Sequence, residues 1–355
     1  MKSLDITKKI KGILYAEHIR SILIASFDIT GKCNLHCRHC YNKGIGEKDY
    51  LDEKKTCIDI AHKFNDLQIR EVTLCGGEPL LSPYFTEFLS LIKEMNIAVR
   101  IITNGLLIDG FLPLFNQLLS ADDVIQFSID ESLQHGCSQR YTSDSERKIA
   151  YDNLARLSNA PFQVIVNITP TLLNQNDITQ IVTDAISHGA REIGITPYIP
   201  IGGKDADLIK PDYYTLSGIE KEVIDICQNA GVNYTGGISG HICQQIYPHL
   251  HSVEESKFFS QTRYCDASNY NIHIASDGTI YPCAFMQKKD YIISHICKSV
   301  SEIKQDFHHY SKLSGISLPD KCQTCMLLDE CNGGCMGVII DRYNSLDHID
   351  PRCIH

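Results

Sequence analysis

The chain of 355 residues has little positive charge and no long apolar run. Its 33 lysines and arginines are outnumbered by 43 acidic residues, which gives a formal net charge of −10. Domains that bind nucleic acid usually present a basic patch, and no lysine- or arginine-rich segment provides one here. No stretch approaches the roughly 20 apolar residues that a membrane-spanning helix requires. We therefore expect no nucleic-acid partner and no membrane insertion.

A secretion signal is also lacking, because His18 and Arg20 interrupt the N-terminal segment and no small-residue cleavage site follows. We therefore expect a cytoplasmic, reducing location. The chain nevertheless contains 16 cysteines, and in a reducing compartment such a number indicates metal ligands. A secreted scaffold held by disulfides is the alternative, but scaffolds of that kind are usually much shorter chains.

Residues 22–230 alternate apolar runs of strand length with apolar residues at helical spacing. Six strand–helix repeats in this order predict an α/β fold with a parallel sheet, either open or closed into a partial barrel. The predicted strands are Ile22–Asp28, Glu71–Leu74, Val99–Ile102, Val124–Ser128, Val164–Ile168 and Glu192–Thr196.

The pattern stops near residue 231, beyond which Gly, Cys, His and short turns are frequent and no long periodic helix is predicted. We therefore divide the chain into a lead-in over residues 1–21, an α/β domain over 22–230 and a small cysteine-rich domain over 231–355. We expect bound metal, in place of a large apolar core, to hold the last part together.

The first motif is GKCNLHCRHCYN, whose thiols belong to Cys33, Cys37 and Cys40. It follows the first predicted strand, at the sheet edge where parallel α/β proteins place their chemistry. Thiolates at this density suit an iron–sulfur cluster or zinc. The next cysteine, Cys57, lies on the buried stripe of the following helix, so a four-iron cluster would keep one iron open. A zinc site completed by His36 or His39 is the alternative.

The C-x3-C-x2-C spacing after the first strand of a βα array resembles the radical S-adenosylmethionine superfamily. The resemblance covers roughly residues 22–200 and implies a partial (β/α)6 barrel. In that family the amine and carboxylate of S-adenosylmethionine (SAM) chelate the open iron. An electron from the cluster then cleaves SAM, and the resulting 5′-deoxyadenosyl radical abstracts hydrogen from the substrate.

The resemblance also implies SAM contacts at the ends of successive strands. The segment Gly76-Gly77-Glu78-Pro79 resembles the family segment that binds the SAM amino group, although GGEP alone would be an ordinary turn. Arg140 is a candidate partner for the methionyl carboxylate, with a surface arginine as the alternative. The family often has an aromatic residue where this chain has His39. The other candidates are Thr103 and Asn104, Ser128 and Asp130 for the ribose, and Thr196 and Tyr198 near the adenine.

A second motif contains seven cysteines between Cys265 and Cys353, among them the pair Cys322-x2-Cys325. It resembles the SPASM extension of many radical SAM enzymes. A zinc ribbon would explain the CxxC pair alone but not all seven cysteines. The resemblance implies two auxiliary clusters, an inner one held by Cys265, Cys283 and Cys335 and an outer one held by Cys322, Cys325, Cys331 and Cys353. Cys243 is a possible fourth inner ligand, but its apolar neighbours favour a buried thiol, so we expect an open inner cluster. We interpret the remaining cysteines as structural, namely Cys57, Cys75, Cys137, Cys227 and Cys297.

The resemblance therefore implies a radical SAM oxidoreductase or maturase with SAM and three [4Fe–4S] clusters. SPASM enzymes mostly modify peptides or proteins, so we expect crosslinking, epimerisation or oxidation of a ribosomally made peptide. The expected partners are this substrate and an electron donor such as flavodoxin or ferredoxin. Only about two dozen residues precede the first strand, too few for a leader-binding domain, so a separate leader-peptide-binding protein is a further possible partner.

Three alternatives remain open at the sequence level. The CRHCY and GGEPLL segments equally resemble haem-type enzymes that decarboxylate or otherwise modify tetrapyrroles. A sulfatase-maturing oxidase has the same architecture, but that group carries an acidic residue directly after the second SPASM cysteine, where this chain has Ala284. A non-catalytic iron–sulfur electron carrier would need neither an open iron nor the GGEP segment.

Overall fold

The computed structural model describes residues 22–42, 54–201, 209–236, 267, 269–325 and 333–353. The strands are β1 (Ile24–Thr30), β2 (Glu71–Gly76), β3 (Ala98–Thr103), β4 (Val124–Ser128), β5 (Gln163–Ile168), β6 (Glu192–Ile195), β7 (Asn233–Gly236), β8 (Asn271–Ile274), β9 (Thr279–Tyr281) and β10 (Ser294–His295). The helices are α1 (Lys54–Asp66), α2 (Phe85–Glu94), α3 (Leu112–Leu118), α4 (Asp144–Arg156), α5 (Ile178–Ser187), α6 (Tyr213–Ala230), α7 (Val300–His309), α8 (Asp320–Gln323) and α9 (Met336–Tyr343). Short 3-10 helices lie at Pro79–Leu81, Ile108–Phe111 and Lys289–Tyr291.

All ten strands form one sheet in the order β10-β9-β8-β1-β2-β3-β4-β5-β6-β7. The strands from β8 through β1 to β7 are parallel, whereas β9 and β10 are antiparallel to their neighbours. The predicted parallel α/β sheet is confirmed, and its six predicted strands differ from the observed ones by at most two residues at either end.

One face of the sheet is covered by the helices that connect the strands. Phe27 on β1 packs against Phe64 of α1 and Phe88 of α2, with ring centroids 5.9 and 5.5 Å apart. Cys57 is fully buried on the same side of α1, as its position on the helical stripe predicts. Because side chains alternate across a strand, Ser26 and Asp28 on β1 point to the opposite, inner face.

The sheet continues across the predicted domain boundary at residue 230. β7 adds a seventh parallel strand beside β6. β8 pairs with the edge of β1 that faces away from β2. The sequence of β7, Asn-Tyr-Thr-Gly, has no apolar run, so periodicity does not reveal this strand. The division at residues 230 and 231 therefore remains a prediction.

The C-terminal part has more apolar core than the sequence analysis expects. Ile272, Ile274, Ile303 and Phe307 are buried in the same continuous cluster as the α/β residues. α7 supplies two of them and begins with a capping box in which the Ser299 side chain and the Glu302 carboxylate each accept the other residue's backbone N–H. This part therefore packs on apolar side chains in addition to any bound metal. Within the described ranges, no helix is both long and apolar enough to cross a membrane.

Candidate active site

The first cysteine motif lies in the loop that leaves β1 at the carboxyl edge of the sheet. Its three cysteines are free thiols, with Cys37 buried, Cys40 half-buried and Cys33 exposed. The backbone N–H of Leu35 donates to Cys33 Sγ at 3.4 Å. Burial raises the pKa of the Cys37 thiol to about 11, although nearby Arg140 opposes the shift. Three free thiols, one of them already accepting a backbone N–H, fit the donor set of an iron–sulfur cluster.

The two glycines of the GGEP segment bring its backbone against the start of this loop. The N–H of Gly77 donates to Thr30 O at 2.9 Å, and the N–H of Glu78 donates to Lys32 O at 2.8 Å. A Cβ on Gly77 would lie 2.1 Å from Lys32 O, so no larger residue fits there. Gly76 adopts a φ of +118°, which favours glycine. The two glycines therefore allow the cysteine loop itself to lie directly against the GGEP backbone.

The carboxylate of Glu78 connects three of the predicted SAM contacts. It accepts hydrogen bonds from Thr103 Oγ1 and from the N–H of Asn104, both at 2.8 Å, and from the N–H of Leu80 at 3.3 Å. Burial raises its pKa to about 7, against the opposing effect of these hydrogen bonds. Asn104 Nδ2 in turn donates to Asn34 Oδ1 in the cysteine loop at 2.7 Å. β2, β3 and the cysteine loop therefore meet at one point.

Asp130 and Arg140 form a buried ion pair beside the cysteines. Arg140 donates from Nε to Asp130 Oδ2 at 2.7 Å and from Nη1 to Cys37 Sγ at 3.6 Å. His39 Nε2 lies 3.2 Å from Asp130 Oδ2 and 2.9 Å from Arg140 Nη2. The other carboxylate oxygen of Asp130 accepts the N–H of Thr169 at 2.6 Å. The alternative of a surface arginine is therefore wrong, because the Arg140 side chain is only 12% exposed.

The charges of this pair stabilise each other. Burial by itself raises the pKa of Asp130, but Arg140 and His39 outweigh it and hold the pKa well below its ordinary value. Burial likewise lowers the pKa of Arg140, and Asp130 more than reverses that effect. Both groups are therefore charged at neutral pH, and the guanidinium is held in place next to Cys37.

The residues that hold Arg140 in position were not predicted from the sequence. Glu131 Oε1 accepts the backbone N–H groups of Arg140 and Tyr141 at 2.9 and 3.2 Å. The buried Tyr141 hydroxyl lies 2.8 Å from Asn104 O and 3.2 Å from Ser128 O. The only sequence signal for these roles is that both residues adjoin a predicted site residue.

The remaining predicted SAM contacts lie at the carboxyl ends of β4 and β6. The Ser128 carbonyl oxygen lies 3.2 Å from the Tyr141 hydroxyl. Thr196 donates from Oγ1 to Asn167 Oδ1 at 2.8 Å, and its N–H donates to Ile168 O at 2.9 Å. Tyr198 is 2% exposed. Their assignment to ribose and adenine stays a prediction.

Five of the seven SPASM-like cysteines lie in the described residues, and none of the five is disulfide-bonded there: Cys283, Cys322, Cys325, Cys335 and Cys353. The N–H of Phe285 donates to Cys283 Sγ at 3.2 Å, as the Leu35 N–H does to Cys33. These thiols likewise fit iron–sulfur ligation. Cys265, Cys331 and Cys243 lie outside the described residues.

Asp350 links two of these cysteines across the C-terminal segment. Its Oδ2 accepts the N–H of Cys335 at 2.8 Å, and its backbone carbonyl accepts the N–H of Cys353 at 2.9 Å. Arg352 donates to both of its carboxylate oxygens, at 3.0 and 2.7 Å. A cysteine predicted for the inner cluster is thus tied to one predicted for the outer cluster.

Two aromatic rings connect the two cysteine regions. Tyr41, directly after Cys40, packs edge-on against Phe285, two residues after Cys283, with ring centroids 5.1 Å apart. A Cβ on Gly337 of α9 would lie 2.7 Å from Phe285 Cβ, so α9 also packs closely on this contact. The loop that holds Cys283 therefore lies against the first cysteine loop.

The sheet is open and mostly parallel, three free thiols follow its first strand, and the loop that holds Cys283 packs against theirs. This arrangement fits an iron–sulfur protein with a partial-barrel fold. Family models agree: the radical SAM superfamily matches residues 27–185, and the iron–sulfur cluster-binding SPASM domain matches residues 265–326. The chain contains a radical SAM domain and an iron–sulfur cluster-binding SPASM domain. It is an enzyme that uses SAM and iron–sulfur clusters.

Relatives resemble the chain over nearly its whole length. It is 24% identical to mycofactocin maturase MftC of Mycolicibacterium smegmatis, over 93% of this chain and 82% of the relative. It is 23% identical to PqqA peptide cyclase of Gluconobacter oxydans, over 92% of this chain and 88% of the relative. Among solved structures, Streptococcus suis SuiB bound to precursor peptide SuiA shares the fold, with 19% identity and a TM-score of 0.75 over 97% of this chain and 79% of SuiB.

Proposed function

We propose that this enzyme modifies a ribosomally made peptide by crosslinking, epimerisation or oxidation. The observation that carries the proposal is the similarity to a mycofactocin maturase and a peptide cyclase over more than 90% of the chain. The fold shared with SuiB in its complex with a precursor peptide is consistent with it. The principal alternative is a haem or tetrapyrrole substrate.

In this proposal the residues of the site divide between holding the cluster and binding SAM. The Cys33, Cys37 and Cys40 thiolates hold the catalytic cluster. Arg140, fixed by Asp130 and placed beside Cys37, binds the methionyl carboxylate, and the turn ordered by the Glu78 carboxylate binds the amino group. When bound, SAM supplies the 5′-deoxyadenosyl radical that abstracts hydrogen from the substrate. The ribose and adenine contacts are assigned to Ser128, Asp130, Thr196 and Tyr198, with Thr103 and Asn104 completing the rim.

The same proposal assigns two auxiliary clusters to the SPASM part. The inner cluster uses Cys265, Cys283 and Cys335, and the outer cluster uses Cys322, Cys325, Cys331 and Cys353. Electrons come from a flavodoxin or ferredoxin, and a separate leader-peptide-binding protein is a further candidate partner. Free thiols in this number are stable in a reducing compartment, which supports a cytoplasmic location.

Protein reconstituted anaerobically with iron and sulfide is expected to contain about twelve irons and twelve sulfides, because ten motif cysteines suffice for three four-iron clusters. Inductively coupled plasma mass spectrometry and sulfide analysis measure this content. The matched control is a Cys297→Ala variant, which removes an exposed cysteine outside both motifs and should leave the content unchanged. Saturation at about four irons would contradict the three-cluster assignment.

A precursor peptide encoded beside the gene is expected to lose two hydrogens, or to gain deuterium from heavy water, when incubated with enzyme, SAM and reductant. Mass spectrometry of the peptide separates these outcomes, since crosslinking and oxidation remove hydrogen whereas epimerisation exchanges it. The same peptide with a scrambled leader is the control and should react more slowly. If haem binds tightly and is modified while no peptide reacts, the peptide proposal is wrong and the tetrapyrrole alternative holds.

A further inference from the structure

A second set of metal-type side chains lies inside the sheet, apart from both cysteine motifs. Asp28 of β1, Cys75 at the end of β2 and His273 of β8 are 0, 6 and 0% exposed. One donor atom from each of them lies within 4.8 Å of the other two. The sequence predicts a structural Cys75 and no role for Asp28 or His273, because these residues are far apart along the chain.

Two distances within this group match those between the ligands of one small cation. Cys75 Sγ lies 3.3 Å from Asp28 Oδ1, and His273 Nε2 lies 3.3 Å from Asp28 Oδ2. Tetrahedral zinc, with bonds of about 2.0 Å to nitrogen or oxygen and 2.3 Å to sulfur, places its ligand atoms about 3.3–3.7 Å apart. A deprotonated thiol and a carboxylate would also balance the charge of a divalent cation.

The histidine is oriented as a metal ligand would be. Its Nδ1 lies 2.9 Å from Ser26 Oγ on the same inner face of β1. Its Nε2 is buried, and within the described part of the chain it makes no hydrogen bond of acceptable geometry. Metal-binding histidines usually have one ring nitrogen fixed by a second residue and the other directed at the metal.

We propose that Asp28, Cys75 and His273 bind one Zn²⁺ ion inside the barrel, with water in the fourth coordination position. The ion joins β8 to β1 and β2, the strands on which the SPASM part and the α/β part meet. It also lies under the first cysteine loop, because Asn42, two residues after Cys40, donates from Nδ2 to Asp28 Oδ2 at 3.2 Å. The site does not depend on which substrate the enzyme uses.

The test starts from holoenzyme whose clusters have been reconstituted, so that iron occupies the motif cysteines before zinc is added. After equimolar ZnCl2 and gel filtration, we expect about one zinc per chain on top of an unchanged iron content. Cys75→Ala and His273→Ala are expected to reduce the zinc to below about one tenth of that value while keeping the iron. Ser26→Ala should weaken zinc binding about 10- to 100-fold in competition with a chelator. Cys227→Ala is the matched control, since it removes a buried thiol elsewhere and should keep the zinc.

Zinc K-edge absorption of the unmodified holoenzyme keeps the proposal testable if a buried variant does not fold. One sulfur at about 2.3 Å and nitrogen or oxygen neighbours at about 2.0–2.1 Å support the site. A shell of three or four sulfurs would place the zinc in a cysteine motif and overturn it. Absence of bound zinc, or full zinc content in the His273→Ala variant, overturns it as well. Loss of iron with the one-sulfur zinc shell retained would instead contradict the cluster assignment and leave the zinc site supported.

Discussion

Replacing Cys33, Cys37 and Cys40 together by alanine is expected to abolish formation of 5′-deoxyadenosine from SAM. The three thiols are the only cysteines in the sequence between β1 and α1, so the triple substitution removes every cysteine ligand that this loop supplies. We expect product below detection, and an iron content that falls from about twelve to about eight because the auxiliary clusters keep their ligands. Chromatography of the SAM products and iron analysis of the same preparation measure both effects.

A triple variant of three other cysteines controls for the general cost of removing thiols. Cys57 and Cys227 are buried in the apolar core and Cys297 is exposed, and all three lie outside the motifs. Their replacement by alanine is expected to leave both the iron content and SAM cleavage close to those of the unmodified enzyme. Cleavage that persists in the first variant, or is lost equally in both, would refute the assignment of the catalytic cluster.

The α/β part of the fold could be predicted from the sequence because its strands bury apolar residues in short runs of strand length, which alternate with residues at helical spacing. β4, for instance, begins and ends where the periodicity predicts. β7 to β10 could not be predicted, because they are two to four residues long and are defined by their neighbours in the sheet. Ser299 and Glu302 have the spacing of a capping box, which indicates the start of α7. The high content of cysteine and glycine around them nevertheless favoured turns over a helix.

The residues of the site likewise divide into those that the sequence could predict and those that it could not. Cysteine spacing identified the cluster ligands, because ligation requires those residues at short sequence distances. The partners of Arg140 were not predictable from spacing, since His39 lies about a hundred residues earlier in the chain. Asp28, Cys75 and His273 meet only because β8 pairs with β1, and that pairing spans almost 250 residues. Contacts that depend on such pairings become visible only in the folded chain.

Asp130→Ala is expected to destabilise the protein by about 3–5 kcal/mol, because it leaves the Arg140 guanidinium buried without its counter-charge. That is a large fraction of the roughly 5–15 kcal/mol that separates a folded domain from its unfolded chain. Urea unfolding of the anaerobic holoenzyme measures the change. The control is Asp109→Ala, which breaks the ion pair between Asp109 Oδ1 and Arg156 Nη1, 2.6 Å apart. These side chains are 64 and 54% exposed. An exposed pair of this kind contributes at most about 1 kcal/mol.

Two further measurements separate the charge effect from the loss of packing. The double variant Asp130→Ala/Arg140→Met removes the orphaned charge and is expected to be more stable than Asp130→Ala alone. The pKa of Asp130 is lowered in the folded protein, so its contribution is present above the unfolded value of about 3.9 and is lost as the pH falls toward the folded value. The difference between the two single variants should therefore shrink as the pH falls below about 4. If Asp130→Ala and Asp109→Ala unfold alike, or if the double variant is the less stable one, the buried pair does not hold Arg140 in place beside Cys37.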